Sequence, residues 1–372
     1  MSARFLTAVS GRAFNMRDRF GREIDYMRIS VIDSCNLNCY YCNQQDNNKN
    51  CQAINILSVK KVLCIVRAAT RLGITHFRLT GGEPLLHPQI DEMVSQIKKI
   101  PGVRSVSLTT NAVLLAQHAK QLKEAGIDSI NVSLDTIDAS EYEYITKKPL
   151  LDKVEHGIDA AIECGIRVKI NAVLTPQTDV VALTRYASKK GTDIRFIEMM
   201  PVGEGHTNGV EPYKKVIGAL LEVYGTPCHI DTENREEINS GYNNADNGPA
   251  EYYSFHGLNI RVGLIQAIHG KFCDTCNRIR VTADGRLMPC LGSSVTMDLV
   301  PDSCEFTDDL EKDFVIAQAL KAAIKAKPGC HNFNDNAVTY TKTTETKTVE
   351  TKTTELKAAE VNAARNMSRI GG

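Results

Sequence analysis

No apolar run in the 372 residues approaches the ~20 needed to cross a bilayer, so the sequence offers no membrane span. It has no charge excess either, with 44 Lys plus Arg against 44 Asp plus Glu. That balance argues against a nucleic-acid polymer as partner, which favours a basic surface, but leaves room for a local basic pocket around one small anion. The first fifteen residues carry two arginines and no acid, and they lack the apolar core of a secretory signal. A short organelle-targeting role stays open for them. What remains is a globular composition, 42% apolar and 24% charged, long enough for one large domain or two ordinary ones. Twelve cysteines are present, six of them in two tight sets. This pattern points to a reducing, cytoplasmic setting with metal sites rather than disulfides.

The first set is Cys35, Cys39 and Cys42, in S-C-N-L-N-C-Y-Y-C after the apolar run from Tyr26 to Ile32. Three thiolates suit a four-iron cubane cluster with one iron left without a protein ligand. A structural zinc ion would want a fourth Cys or His at fixed spacing, and none follows nearby. Three unrelated core thiols fit poorly, because Asn and Tyr lie between them. The spacing resembles the signature of the radical S-adenosylmethionine superfamily. There the open iron chelates S-adenosylmethionine, whose reductive cleavage yields a 5′-deoxyadenosyl radical.

From Tyr26 to Glu198, six β-rich runs alternate with helical patterns: 26–32, 74–80, 103–109, 127–134, 166–173 and 193–198. Helices are expected near 58–72, 88–100, 113–125, 150–164 and 179–190, with Gly73, Gly126, Gly165 and Gly191 ending four of them. Such repetition implies an α/β fold with a parallel sheet covered by helices. Polar residues collect at the strand ends: the cysteine loop, Gly81-Gly82-Glu83-Pro84, Thr109-Thr110-Asn111, Ser133 with Asp135, Lys169 with Asn171, and Arg195, Glu198 and Met200. A site at the C-terminal face of the strands follows. The glycine pair lets a ligand approach the backbone, and Glu83 can meet a cationic group.

After Pro201 the rhythm stops. A helix is expected from Glu211 to Tyr224, then strands near 252–255, 259–265 and 279–282, and a turn at Asp284-Gly285 leading to 286–288. These read as a smaller α+β region. It carries the second set, Cys273, Cys276 and Cys290. Either a second cluster with an open iron or a zinc site completed by His269 or Cys304 fits that spacing. Arg278 and Arg280 alternate on one strand and so face one way, as a polyphosphate site needs. Cys64 and Cys164 fall in apolar helical patterns and are expected in the core; Cys51, Cys228, Cys304 and Cys330 have no assignable partner.

The segment D-R-F-G-R-x-I-x-Y-x-R-I-S-V, the sequence C-N-R-x-R in the second set, and the ending R-I-G-G are together similar to the molybdenum cofactor biosynthesis protein A family, the GTP 3′,8-cyclases. The resemblance runs from about residue 18 to 328 and resumes at the C-terminus. It implies an incomplete (β/α)6 TIM-like barrel over 18–202, after an N-terminal extension of 1–17. A C-terminal region of 203–335 then covers its open side and holds a second [4Fe-4S] cluster. Residues 336–372 form a low-complexity linker and tail. The implied lyase converts GTP to (8S)-3′,8-cyclo-7,8-dihydroguanosine 5′-triphosphate, the first step towards molybdopterin. Cys35, Cys39 and Cys42 would hold the first cluster, and Tyr41, Gly82, Ser133 and Met200 would line the S-adenosylmethionine pocket. Cys273, Cys276 and Cys290 would hold the second cluster, against the guanine. Arg28, Arg278 and Arg280 would clamp the triphosphate, with Arg78, Thr109, Lys169 and Ile279 on the GTP side. The terminal Gly371-Gly372 would enter the active site. Implied partners are a flavodoxin- or ferredoxin-like electron donor, a downstream cyclic pyranopterin monophosphate synthase and a second copy of the chain in a homodimer.

Ser34, Asn43-Gln44, His76, His87 and Ala112 depart from that family's pattern, Ala112 standing where glycine is usual in T-T-N-G. Three copies of a T-K-T-T-E or T-K-T-V-E pentapeptide from Thr341 to Glu355 are not a family feature and read as a solvated linker. A peptide-modifying radical enzyme with an auxiliary cluster is the competing reading, and an iron–sulfur electron carrier is a third, though T-G-G-E-P has no purpose in a carrier.

Overall fold

The structure is a computed structural model that describes residues 16–42, 54–202, 209–230, 248–293, 295–299, 309–331 and 333. Apolar residues at alternate positions build six parallel strands, β1 (Tyr26–Ser30), β2 (His76–Thr80), β3 (Ser105–Thr110), β4 (Ser129–Ser133), β5 (Arg167–Val173) and β6 (Asp193–Ile197), hydrogen-bonded in that order. Around them lie α1 (Val59–Thr70), α2 (Ile90–Lys98), α3 (Leu115–Glu124), α4 (Ala139–Thr146), α5 (Leu151–Glu163) and α6 (Val180–Lys190). The odd-even alternation decides what each face does. Met27, Ile29, Phe77, Leu79, Val106, Leu108, Ile130, Val132, Ile170, Ile194 and Phe196 join the hydrophobic core. Their neighbours Arg28, Arg78, Thr109, Asn131, Asn171 and Arg195 face an inner cavity. A parallel sheet closed only by packing would carry apolar residues on both faces. This one keeps its inner face polar.

Helix ends are set as expected. Gly73, Gly126, Gly165 and Gly191 have φ of +86°, +87°, +68° and +65°, the left-handed conformation that glycine adopts without strain. Cys64 is fully buried on α1, and Cys164 packs against the core as a partly buried residue. The short helix α4 was not expected from periodicity. Asp138 starts it by accepting from the backbone N–H of Glu141 at 2.7 Å.

The C-terminal half holds α7 (Pro212–Tyr224), β7 (Cys228–Ile230), β8 (Glu251–Ser254), β9 (Val262–Ile265), β10 (Arg278–Val281), β11 (Arg286–Met288), β12 (Met297–Asp298) and α8 (Asp309–Ala326). Its strands form no separate sheet among the described residues. They extend the same sheet at both edges, in the order β12-β11-β10-β1-β2-β3-β4-β5-β6-β9-β8-β7. β10 pairs in parallel with β1, and β9 in parallel with β6. The second cysteine set is thereby brought next to the first strand. Helix α8 packs on α1, where Asp313, 2% exposed, receives Arg67 at 3.1 Å and Arg71 at 3.2 Å. The N-terminal extension, the threonine repeat and the Gly-Gly tail lie outside the described residues, apart from Met16 and Arg17.

Candidate active site

The chain leaves β1 into the cysteine loop and is held there by backbone bonds. Gly82 N–H donates to Ile32 O at 2.8 Å and Glu83 N–H to Ser34 O at 2.8 Å. The fit leaves no space for a side chain, since a Cβ on Gly82 would stand 2.2 Å from Ser34 O. The far side of the loop rests on the end of α4, through Asn38 N–H to Thr146 O and Tyr40 N–H to Ile145 O. Tyr41 Oη donates to Asp135 Oδ2 at 2.5 Å, and Asp135 Oδ1 accepts from Val173 N–H at 2.8 Å. Asp135 thus joins the cysteine loop to β4 and β5, and burial pushes its carboxyl up to about 6.

Glu83 does something other than face outward. It is 1% exposed, and its carboxylate accepts from Leu85 N–H, Thr110 Oγ1 and Asn111 N–H at 2.7–3.0 Å. It fastens the glycine turn to the end of β3, which positions Asn111 against Asn36 and Cys35. Burial raises its carboxyl to about 7.

Burial also pushes the Cys35 thiol up to about 11 and Cys42 to about 12, with Cys39 raised further. Three desolvated thiols beside one another resist ionising until a metal takes the place of their protons. Among the described residues no His, Cys, Asp or Glu groups stand in the arrangement of a bound ion. The two cysteine sets are related by the cavity they share rather than by ligating geometry.

That cavity, about 320 Å³, is lined by all six thiols, Cys35, Cys39, Cys42, Cys273, Cys276 and Cys290. Tyr41, Gly82, Ser133 and Met200 line it beside the first set, and Arg28, Arg78, Thr109, Arg278 and Arg280 line it as well. Three of the arginines form one row, because Arg28 is in register with Arg280 on one side and Arg78 on the other. Burial and then Arg280, with smaller contributions from Arg78 and Arg278, press the Arg28 guanidinium well below its ordinary value, while Tyr26 opposes the shift. Arg78 Nε donates to Ser107 Oγ at 3.0 Å, and its guanidinium lies 5.8 Å from the centre of the Tyr26 ring. Thr109 Oγ1 and Asn131 Oδ1 are buried on this wall with no hydrogen-bond partner among the described residues. Such a surface suits an anionic ligand that also offers hydrogen-bonding groups.

Two expected site residues are placed differently. Lys169 is 1% exposed and shares a register row with Asn131 and Thr109, but is not part of the cavity lining. Ile279 turns its side chain into the core between the two arginines. Gly371 and Gly372 lie outside the described residues. Of the departing positions, His87 is a structural residue, with its ring between Leu57 O and Gln89 N. His76 bonds Thr75 Oγ1 at 3.0 Å at the opposite, N-terminal end of the strands.

Sequence reasoning missed two buried cations at the second set. Arg22, from D-R-F-G-R, donates to Cys273 O at 2.7 Å, Pro328 O at 2.6 Å and Gly329 O at 3.0 Å, and is held by Asp18 at 2.6 Å. Lys327, just beyond α8, is 2% exposed. In the sequence, the segment around Arg22 carries only the family resemblance. A lone lysine at a helix end carries no local sign of burial.

Two family models match the chain, the Radical SAM superfamily over residues 29–183 and Molybdenum Cofactor Synthesis C over residues 192–333. A GTP 3′,8-cyclase of Clostridium perfringens (strain SM101 / Type A) is 36% identical over 321 residues, covering 86% of this chain and 95% of the relative. That of Listeria monocytogenes is 36% identical over 85% of this chain and 92% of its own length. Among solved structures, Streptococcus suis SuiB bound to S-adenosylmethionine superposes with a TM-score of 0.54 at 17% identity, over 82% of this chain and 68% of SuiB. At that identity it supports the fold alone.

Proposed function

The chain belongs to the GTP 3′,8-cyclase family of the radical SAM superfamily, and from that premise we propose that it cyclises GTP to (8S)-3′,8-cyclo-7,8-dihydroguanosine 5′-triphosphate for molybdenum cofactor synthesis. The observation that carries the reading is the row of Arg280, Arg28 and Arg78, with Arg278 beside it, set in one cavity with both cysteine sets. Buried cations in a row repel one another, and a triphosphate relieves that repulsion.

Cys35, Cys39 and Cys42 would hold one [4Fe-4S] cluster and Cys273, Cys276 and Cys290 a second. When bound, the first cluster with S-adenosylmethionine supplies a 5′-deoxyadenosyl radical able to take a ribose hydrogen. The protein's own part is placement. Gly82 brings backbone close to the cysteine loop, Tyr41 is fixed by Asp135, and Ser133 and Met200 close the S-adenosylmethionine side. Thr109 and the arginines orient the nucleotide, so the ribose 3′ carbon and purine C8 are held for ring closure. Lys169 and Ile279 lie on the same strands without lining the cavity, and Gly371 and Gly372 are assigned to the same site from the family resemblance.

A flavodoxin- or ferredoxin-like donor would supply the electron in the cytoplasm, a cyclic pyranopterin monophosphate synthase would take the product, and the chain would act as a homodimer. Anaerobic protein should carry about eight irons per chain and form 5′-deoxyadenosine only when GTP is present. Turnover of S-adenosylmethionine that ignores GTP would end this reading.

A further inference from the structure

We propose that Lys327 is a positioning residue for the second cysteine set, its ammonium bonded to the carbonyls beside Cys276 and Cys290 so that the cluster there has a higher reduction potential. This rests on reading that set as an iron–sulfur site. A lysine ammonium has three donors and no acceptor, and two of them are spent here on backbone carbonyls. Nζ donates to Arg278 O at 2.8 Å and to Pro289 O at 3.0 Å, and Lys327 lines the shared cavity together with Cys276 and Cys290. Those carbonyls lie two residues after Cys276 and one before Cys290. One buried group therefore joins both halves of the cysteine set and the start of the arginine strand. An ammonium is retained at such depth only where its donors are satisfied.

Lys327, 2% exposed, thus sets a buried positive charge against the backbone that carries Cys276 and Cys290. Positive charge and hydrogen bonds at cluster sulfurs are levers that raise reduction potential.

The test uses the full chain, made without oxygen, with Cys35, Cys39 and Cys42 changed to alanine so that iron resides only in the second set. Lys327→Gln and Lys327→Met should each move the potential negative, Met further than Gln, with Lys327→Arg moving it least. Loss of iron in Met with retention in Arg also supports the assignment. An unchanged potential in Lys327→Met overturns it. Absence of iron with Lys327 intact overturns both this and the reading beneath it. If the substitutions prevent folding, labelling the lysines with 15N decides the matter. Pulsed electron paramagnetic resonance of the reduced cluster should reveal one coupled lysine nitrogen, and no coupling overturns the proposal.

Discussion

Arg28 and Arg280 stand side by side in parallel register on β1 and β10, two guanidinium groups brought together across 252 positions of sequence. Arg280, 7% exposed, is lowered to about 10 by burial and by Arg278. Neighbouring buried cations raise the energy of the ligand-free protein and favour a polyanion.

Arg280→Ala should therefore weaken GTP binding by about 1–3 kcal/mol while leaving guanosine binding nearly unchanged. Equilibrium titration of both ligands into anaerobic protein checks this. An equal loss for guanosine would remove the phosphate from the account.

Gly82→Ala should be among the most damaging single-methyl changes. Its Cβ would stand 2.2 Å from Ser34 O and 2.7 Å from Asp33 O, both backbone atoms that cannot turn aside. Overpacking of this kind costs about 1–3 kcal/mol or more. Here it would move the loop that carries Cys35. Thermal unfolding together with iron content of the first set measures both effects, and a variant with normal stability and iron would show the loop to be pliable.

The six strand–helix units were readable to within about two residues at most ends because their signals are local: alternation, three-four spacing and capping glycines. The partnership of β10 with β1 was not, since no local pattern says which distant strand lies alongside another. For the same reason Arg278 and Arg280 were legible as a pair on one face, while their meeting with Arg28 came only from family resemblance. Lys327 and Arg22 escaped because burial of a cation depends on carbonyls supplied from elsewhere in the chain. Helix α4 escaped because eight residues carry too few turns for periodicity to show.

Glu83 predicts a pH dependence. Its carboxyl is raised from 4.5 to about 7 by burial, against hydrogen bonds from Asn111, Thr110 and Leu85 that lower it. The folded state then holds the proton more tightly than the unfolded state. The contribution is fully present below about pH 4.5 and is lost as pH rises through about 7, amounting to roughly 3 kcal/mol. Glu83→Gln cannot titrate, so its stability should fall less between pH 5 and 8, after a pH-independent loss of about 1 kcal/mol for the disturbed hydrogen bonds. Parallel slopes in denaturant unfolding at the two pH values would refute the assignment.

Ala112 takes φ of +64° at a fully buried position, a left-handed conformation that costs a non-glycine residue about 1–2 kcal/mol. Glycine avoids that strain and loses part of the gain, about 0.5–1 kcal/mol, to unfolded-chain entropy. Ala112→Gly should stabilise the protein by up to about 1 kcal/mol, seen as a small rise in Tm. A fall would mean that the lost methyl packing outweighs backbone strain.

Helix α8 ends one residue before Lys327. Asp313 is buried at the α1–α8 contact with Arg67 at 3.1 Å and Arg71 at 3.2 Å, both arginines partly exposed. Because water can still reach the arginines, Asp313→Ala should cost about 1–3 kcal/mol rather than the larger penalty of a fully buried pair. The change lies fourteen residues before Lys327 in the same helical segment and touches neither cysteine set. If α8 positions the lysine, iron in the second set should fall while iron in the first is kept, and Asp313→Glu should recover part of it. Equal loss from both sets would mean the helix merely supports the whole fold.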